Sequence, residues 1–258
     1  MSQQTVGFIG AGRAAKILLG GWERAGRMPS CVVLYDCEAQ ACEELQSLGS
    51  EIEATGRVAD AAAQDVVFLA VHPPVMKDAV ETAKAHLKSD AIVVSLAPKF
   101  TIAKLAELLG GFNRVARMIP NAPAIICRGF NPLAFGEALD ASDRHTLDQL
   151  FQSLGECPEV DESHLEAYAI LSAMGPTYFW PQIYALRSLG KTFGLTDEAT
   201  MEALDKMLWG TMATIRESDL SPAQVQDLIP VKPMAEEVEV LCGAYERRLQ
   251  GLMQKIKP

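Results

Sequence analysis

The sequence predicts an α/β fold: a doubly wound parallel sheet over residues 1–160, followed by an all-helical domain over residues 161–258. Three observations predict it. The apolar run Val6-Gly7-Phe8-Ile9 enters a Gly-x-Gly-x-x-Ala turn, Gly10-Ala11-Gly12-Arg13-Ala14-Ala15, and then the helix-forming Lys16-Ile17-Leu18-Leu19. Apolar strand-like runs then alternate with helix-like stretches up to about residue 160. After Asp161 the strand signals vanish and helical periodicity takes over. A chain of 258 residues with 49% hydrophobic side chains is long and apolar enough to bury cores for both parts.

The opening segment reads as a phosphate cradle. Gly10 permits the tight turn, Gly12 lets the backbone approach a pyrophosphate, and Ala15 lets the helix pack closely on the strand. The helix start offers free N–H groups and a positive dipole end to an anion. Gly10, Ala11, Gly12, Arg13 and Ala14 are therefore expected at the pyrophosphate of a dinucleotide on a Rossmann-type domain. Arg13 either stabilises the pyrophosphate or lies on the adenine side. The second strand, Cys31-Val32-Val33-Leu34-Tyr35, ends in Asp36. An acid about 20 or more positions past the glycines is where a ribose 2′-hydroxyl is bound. The alternative is a mere strand-end cap. As a ribose ligand, Asp36 would repel a 2′-phosphate and favour NADH over NADPH.

The remaining elements follow in order. Ala39 to Leu48 reads as a helix and Glu51 to Ala54 as a short extended piece. Val66 to Val71 is a continuous apolar run, as in a parallel strand covered on both faces, and His72-Pro73-Pro74 stops it. Val75 to Leu87 is helical, Ala91 to Leu96 a buried strand, Ile102 to Leu109 helical, and Arg114 to Met118 a strand. Ser142 is expected to cap a helix that places Leu147, Leu150, Phe151 and Leu154 on one face. Helices are then expected over Glu162 to Ala173, Tyr178 to Leu189, Asp197 to Arg216, Pro222 to Leu228 and Met234 to Ile256. Ser221-Pro222-Ala223-Gln224 is a clean start, with Ser at the N-cap, Pro at N1 and Gln at N3.

Charge and cysteine content narrow the function. A net charge of −10 with no Lys/Arg cluster argues against nucleic acid or an anionic membrane as partner. No apolar stretch reaches the roughly 18 residues of a membrane span, and the N-terminus runs straight into a strand, so neither a transmembrane helix nor a signal peptide is expected. The cysteines at 31, 37, 42, 127, 157 and 242 form no Cys-x-x-Cys, and no His pair has ligand spacing. They read as reduced thiols of a cytoplasmic protein without a metal. A helical domain of about 95 residues has little core for its surface. Apolar residues such as Ile170, Phe179, Trp180, Leu208, Trp209 and Leu241 are thus expected to be buried in a homodimer. Burial against the nucleotide domain alone is the other possibility.

Several segments together resemble pyrroline-5-carboxylate reductase, whose reaction is the last of proline synthesis. They are Gly7-Phe8-Ile9-Gly10-Ala11-Gly12, Val71-His72-Pro73, Arg117-Met118-Ile119-Pro120-Asn121-Ala122-Pro123-Ala124, and Ser172-Ala173-Met174-Gly175-Pro176-Thr177-Tyr178-Phe179. The similarity runs in order over nearly the whole chain. It implies an N-terminal Rossmann-type domain, a C-terminal dimerisation domain, and hydride transfer from NAD(P)H to a cyclic C=N bond in a small carboxylate-bearing imine. It implies a nicotinamide pocket formed by Val71, His72 and Pro73 and by the segment around Pro120 and Asn121, with Gly175-Pro176-Thr177 as its floor.

The departures are local. Where the family carries Ser-Pro-Gly-Gly-Thr-Thr, this chain has Ile229-Pro230-Val231-Lys232-Pro233-Met234. His72 stands where the family usually has Lys. A changed substrate is therefore expected. Lys232, Thr177 and His72 are the candidate catalytic residues: Lys232 as a replacement anion site or a solvated loop cation, His72 as a proton donor, a ribose contact or a loop residue. Ser172 and Tyr178 offer hydroxyls or bond internally. Trp180-Pro181 reads as interface packing, and Met174, Met207, Met212 and Met234 fill the core or line an apolar pocket. Two rivals stand beside this reading. One is a β-hydroxyacid-dehydrogenase-like C=O/CH–OH oxidoreductase, which needs a Lys within about two turns of the glycine-rich helix start. Here the first Lys after Gly175 is Lys191, about four turns on. The other is a non-catalytic dinucleotide-binding protein.

Overall fold

Alternation along β1 (Thr5–Ile9) sends Val6 and Phe8 into one buried cluster and Ile9 into another. The strand is thus covered on both faces, as its unbroken apolar character requires. The computed structural model describes residues 4–258. Around β1 it builds β2 (Cys31–Tyr35), β3 (Ile52–Thr55), β4 (Val66–Leu69), β5 (Ile92–Ser95) and β6 (Val115–Met118), all parallel neighbours. Two short pieces follow. β7 (Gly129–Phe130) pairs outside the sheet with β9 (Gly155–Glu156), and β8 (Leu133–Phe135) runs antiparallel to β6. Among the described residues the sheet order is β3-β2-β1-β4-β5-β6-β8. The order reverses between β1 and β4, so a crevice opens there at the carboxyl ends of the strands. The register lines those ends up: Ile9 faces Tyr35 and Leu69, Leu69 faces Ser95, and Ser95 faces Arg117.

Helices cover the sheet: α1 (Arg13–Ala25), α2 (Ala39–Gln46), α3 (Val58–Ala62), α4 (Met76–Ala83), α5 (Ile102–Leu108), α6 (Ala141–Phe151) and the short α7 (Leu165–Tyr168). On one face Phe8 and Phe68 stack at 4.6 Å, and Trp22 and Phe151 meet Phe68 at tilted or edge-on angles. Fully buried Trp22 donates its indole N–H to the Leu150 carbonyl at 2.8 Å, which removes the cost of burying that polar edge. The opposite face is aliphatic, with Val67, Leu69, Met76, Val80, Val93 and Leu105.

Some elements differ from the sequence expectation. The helix expected at Ser142 is capped by Asp140, whose carboxylate accepts the Ser142 and Asp143 N–H groups while Asp143 returns the bond to Asp140. A carboxylate three residues ahead of a second one completes a reciprocal capping box, and Ser142 lies inside it. The expected helix over Val75 to Leu87 is regular only over α4, and the fourth strand stops at Leu69. The expected helix over Glu162 to Ala173 contains α7 and then a π-helical turn, Ala169–Ala173.

This first unit runs to Met174 and takes in Leu252–Pro258; the second is Gly175–Gly251. The second holds α8 (Pro176–Thr192), α9 (Asp197–Glu217), α10 (Pro222–Asp227) and most of α11 (Val238–Ile256). Pro176 begins α8, Thr196 caps α9, and Ser221 with Gln224 forms a capping box on α10. α8 and α9 touch where Gly190 leaves room for buried Thr200. Arg187 grips Asp197 with two nitrogens, both side chains being exposed, so the pair adds little stability. No apolar side chain between residues 175 and 251 is buried. No helix of the described residues is long and apolar enough to cross a membrane.

Candidate active site

The carboxyl edge of the sheet is shaped first by the turn after β1. Gly10 adopts φ +105°, donates its N–H to the Tyr35 carbonyl at 2.7 Å, and would set a Cβ 2.6 Å from the Ala70 carbonyl oxygen. Only glycine meets both demands. Gly12 is the N-cap of α1, and no side chain caps the helix or brings an acid into its first turn. A Cβ at Gly12 would meet no protein atom within 4 Å. The positive end of a 13-residue helix thus opens onto free space, beside half-buried Ala14 and exposed Arg13. That cradle fits the pyrophosphate of a dinucleotide.

Asp36 follows β2 directly. Its Oδ2 accepts the Ala11 N–H at 2.7 Å, and its Oδ1 accepts the Glu38 N–H at 3.0 Å and the Cys37 thiol at 3.4 Å. Burial pushes the carboxyl up, but the N–H donors of Glu38 and Ala11 and the Cys37 thiol outweigh it and hold the group below the ordinary Asp value. Asp36 is therefore an ionised acceptor tied to the glycine turn itself, and Oδ2, which accepts one bond, retains a lone pair for a ribose hydroxyl.

On the other side of β1 lie the turns after β4, β5 and β6. Val71 is half-buried, and exposed His72 precedes a single 3₁₀ turn, Pro73–Val75, whose Val75 N–H donates to the His72 carbonyl. Pro120 is half-buried and Asn121 buried. Asn121 is first of all a builder. Its N–H donates to Asn131 Oδ1, its side-chain oxygen accepts from the Phe130 N–H, and its carbonyl accepts from the Ala124 N–H. These bonds fold the Pro-Asn-Ala-Pro-Ala segment into a turn seated on α1.

Beneath that edge is a charged cluster that sequence reasoning did not single out. Fully buried Arg117 of β6 donates to Glu162 at 3.0 Å and to buried Glu166. The same carboxylates accept backbone N–H groups from the turn after β5: Ile102 to Glu162 at 2.6 Å and Lys99 to Glu166 at 3.2 Å. An Arg amid apolar strand residues was the available signal; its partners lie more than 40 residues away and gave none.

The structure thus gathers Gly10, Ala11, Gly12, Arg13, Ala14, Asp36, Val71, His72, Pro73, Pro120 and Asn121 along one edge of the first unit. Thr177 and Lys232 belong to the second: Thr177 is exposed in the first turn of α8, and Lys232 is exposed between α10 and α11. Ser172 bonds back to the Tyr168 carbonyl at 2.7 Å, and Tyr178 meets Tyr245 edge-on at 5.8 Å.

Known proteins resemble this chain in sequence and in fold. The family described as NADP oxidoreductase, coenzyme F420-dependent, matches residues 5–99. Pyrroline-5-carboxylate reductase of Pisum sativum is 30% identical over 224 residues, which covers 86% of this chain and 81% of that protein. The Pseudomonas aeruginosa reductase of the same name is 29% identical over 230 residues, 88% and 83% of the two chains. In fold the chain is similar to the NADP-bound pyrroline carboxylate reductase of Plasmodium falciparum, with a TM-score of 0.74, 20% identity and coverage of 99% and 95%. The Coxiella burnetii reductase gives a TM-score of 0.69 at 24% identity, with coverage of 99% and 95%. With that identity spread over most of both chains, this protein belongs to the pyrroline-5-carboxylate reductase family, NAD(P)-dependent oxidoreductases acting on CH–NH bonds.

Proposed function

We propose that the protein reduces a small cyclic imine that bears a carboxylate, using NADH in preference to NADPH, as a cytoplasmic homodimer. The observation that carries the reading is the open Gly10–Gly12 turn with ionised Asp36 on one side and the β4–β5–β6 edge on the other, in a chain of this family. The nicotinamide, when bound, supplies a hydride to the carbon of a cyclic imine already protonated at nitrogen, and C=NH⁺ becomes CH–NH. The chain's own task is to hold and orient. The α1 N-terminus holds the pyrophosphate, Asp36 takes the adenosine ribose, and Val71, His72, Pro73, Pro120 and Asn121 line the nicotinamide side. Thr177 and Lys232 stay in the reading as substrate-contacting candidates on the strength of the sequence. The segment Ile229 to Met234 carries no hydroxyl and no glycine, which supports a substrate preference different from pyrroline-5-carboxylate.

NAD(P)H oxidation measured against pyrroline-5-carboxylate, further cyclic imines, 2-oxo acids and 3-hydroxy acids (the last with oxidised cofactor) tests this. Turnover confined to imines is the expected result, with pyrroline-5-carboxylate slower than the best imine. Turnover confined to oxo or hydroxy acids overturns the reading.

The homodimer rests on the exposed apolar side chains of the helical unit. Phe193, Trp209, Met212, Ile215, Val231 and Val240 are all more than half exposed in the single chain. Such a surface calls for a partner, and a second copy with the same face is the simplest one. Sedimentation at micromolar concentration is expected to give twice 27.9 kDa; a 27.9 kDa species would refute it. All six cysteines are free, which supports a reducing compartment.

A further inference from the structure

We propose that Lys99 is a carboxylate-binding residue of the active site, one that sets its preference for anionic substrates; the inference rests on the imine-reductase reading above. Lys99 lies four residues past the end of β5, among the turns at the carboxyl edge. The Ala70 N–H donates to the Ile9 carbonyl and the Leu96 N–H to the Leu69 carbonyl, so the ends of β1, β4 and β5 are adjacent. Two strand spacings, about 10 Å, separate the glycine turn from the β5 turn. Asp36 lies on the other side of β1. A dinucleotide anchored at Gly12 with its adenosine toward β2 therefore runs its nicotinamide half across β4 and β5, where Lys99 is.

The backbone at Lys99 is the second observation. Its φ is +78°, in the left-handed region that favours glycine. The conformation is held by its N–H bond to Glu166, and three residues on the Ile102 N–H is held by Glu162. Both carboxylates are tied to buried Arg117. A turn fixed this firmly could carry a glycine at no conformational cost, yet it carries a lysine. Its side chain is exposed and makes no ion pair among the described residues. Strain retained at a ligand edge, with a cation displayed there, marks a functional position rather than a packing one. A compact ammonium suits a single carboxylate.

The test compares Lys99→Gly and Lys99→Arg with the unmodified protein, on pyrroline-5-carboxylate and on 1-pyrroline, the same ring without the carboxylate. Lys99→Gly is expected to raise KM for the carboxylate imine about 10- to 100-fold. The same change should leave KM for 1-pyrroline and the Kd of the reduced cofactor unchanged, and leave Tm unchanged or higher. Lys99→Arg should recover most of the loss. Equal changes on both imines, weakened cofactor binding, or a loss seen with Lys232→Ala alone would overturn the assignment. If the unmodified protein reduces neither of these imines nor any other cyclic imine, the functional reading fails by itself. Titration of proline onto the cofactor-loaded protein then decides Lys99. Binding that Lys99→Gly weakens about 10-fold or more supports it; equal binding, or none, overturns it.

Discussion

Replacing Asp36 with serine is expected to raise NADPH affinity about 5- to 30-fold and to lower NADH affinity severalfold. The Asp36 carboxylate is bound to the Ala11 N–H, so it is fixed beside the glycine turn rather than free to swing away. A 2′-phosphate would arrive a few ångströms from it. Two like charges at that range repel by about 3 kcal/mol at an effective dielectric near 20, and salt and partial exposure reduce this to about 1–2 kcal/mol. Serine removes the repulsion and keeps an oxygen for Ala11. Isothermal titration with both cofactors measures the change, and tighter NADPH binding by the unmodified protein would remove the ribose role of Asp36. The sign with pH follows from the lowered carboxyl. A group held below its ordinary value contributes above the unfolded value of about 4 and is lost only as pH falls through its folded value. The Asp36 contribution to NADH binding is therefore expected to be flat between about pH 5 and 8.

The largest stability effect is expected at Arg117. Changing Arg117 to methionine leaves Glu166, with only 2% of its side chain exposed, and the nearby Glu162 without their cation. Breaking a buried pair from one side costs about 3–5 kcal/mol, because an uncompensated charge stays behind. It also frees the β5 turn that both carboxylates hold. Adding Glu166→Gln and Glu162→Gln to Arg117→Met is expected to recover much of the loss. Urea unfolding of the single and triple variants reads both effects. A single-variant loss under about 1 kcal/mol would mean that the cluster is solvated in solution.

The contrast between these two residues explains what the sequence could reveal. The glycine turn, α1 and Asp36 sit within one continuous stretch, where local spacing sets the geometry, and the fold class and the uncapped glycine turn at the start of α1 were legible there. The capping box of α10 was legible for the same reason. Arg117 finds its partners 45 and 49 residues away, and no local pattern encodes such a meeting. β7 and β8 have two and three residues, too short for a period to register, and their pairing is set by the sheet edge they reach. Asp140 and Ser142 are both good caps by residue type; the carboxylate three residues on, at Asp143, decided between them. The left-handed backbone of Lys99 has no sequence signal at all, since lysine is not a residue that announces it.

The three tryptophans have an optical consequence. Trp22 is sealed in the aromatic cluster of the first unit, whereas Trp180 and Trp209 of the second are 44% and 69% exposed in the single chain. Indole emission moves to the blue as water is excluded, so Trp180 and Trp209 report on whether a second copy covers the helical unit and Trp22 reports on the sheet, without any label. Dilution that parts two copies should move the emission of Trp180 and Trp209 to the red, while Trp22 should move only when the sheet unfolds. Trp22→Phe, which keeps a ring against Phe8 and Phe68, would leave a protein whose fluorescence reads the helical unit only.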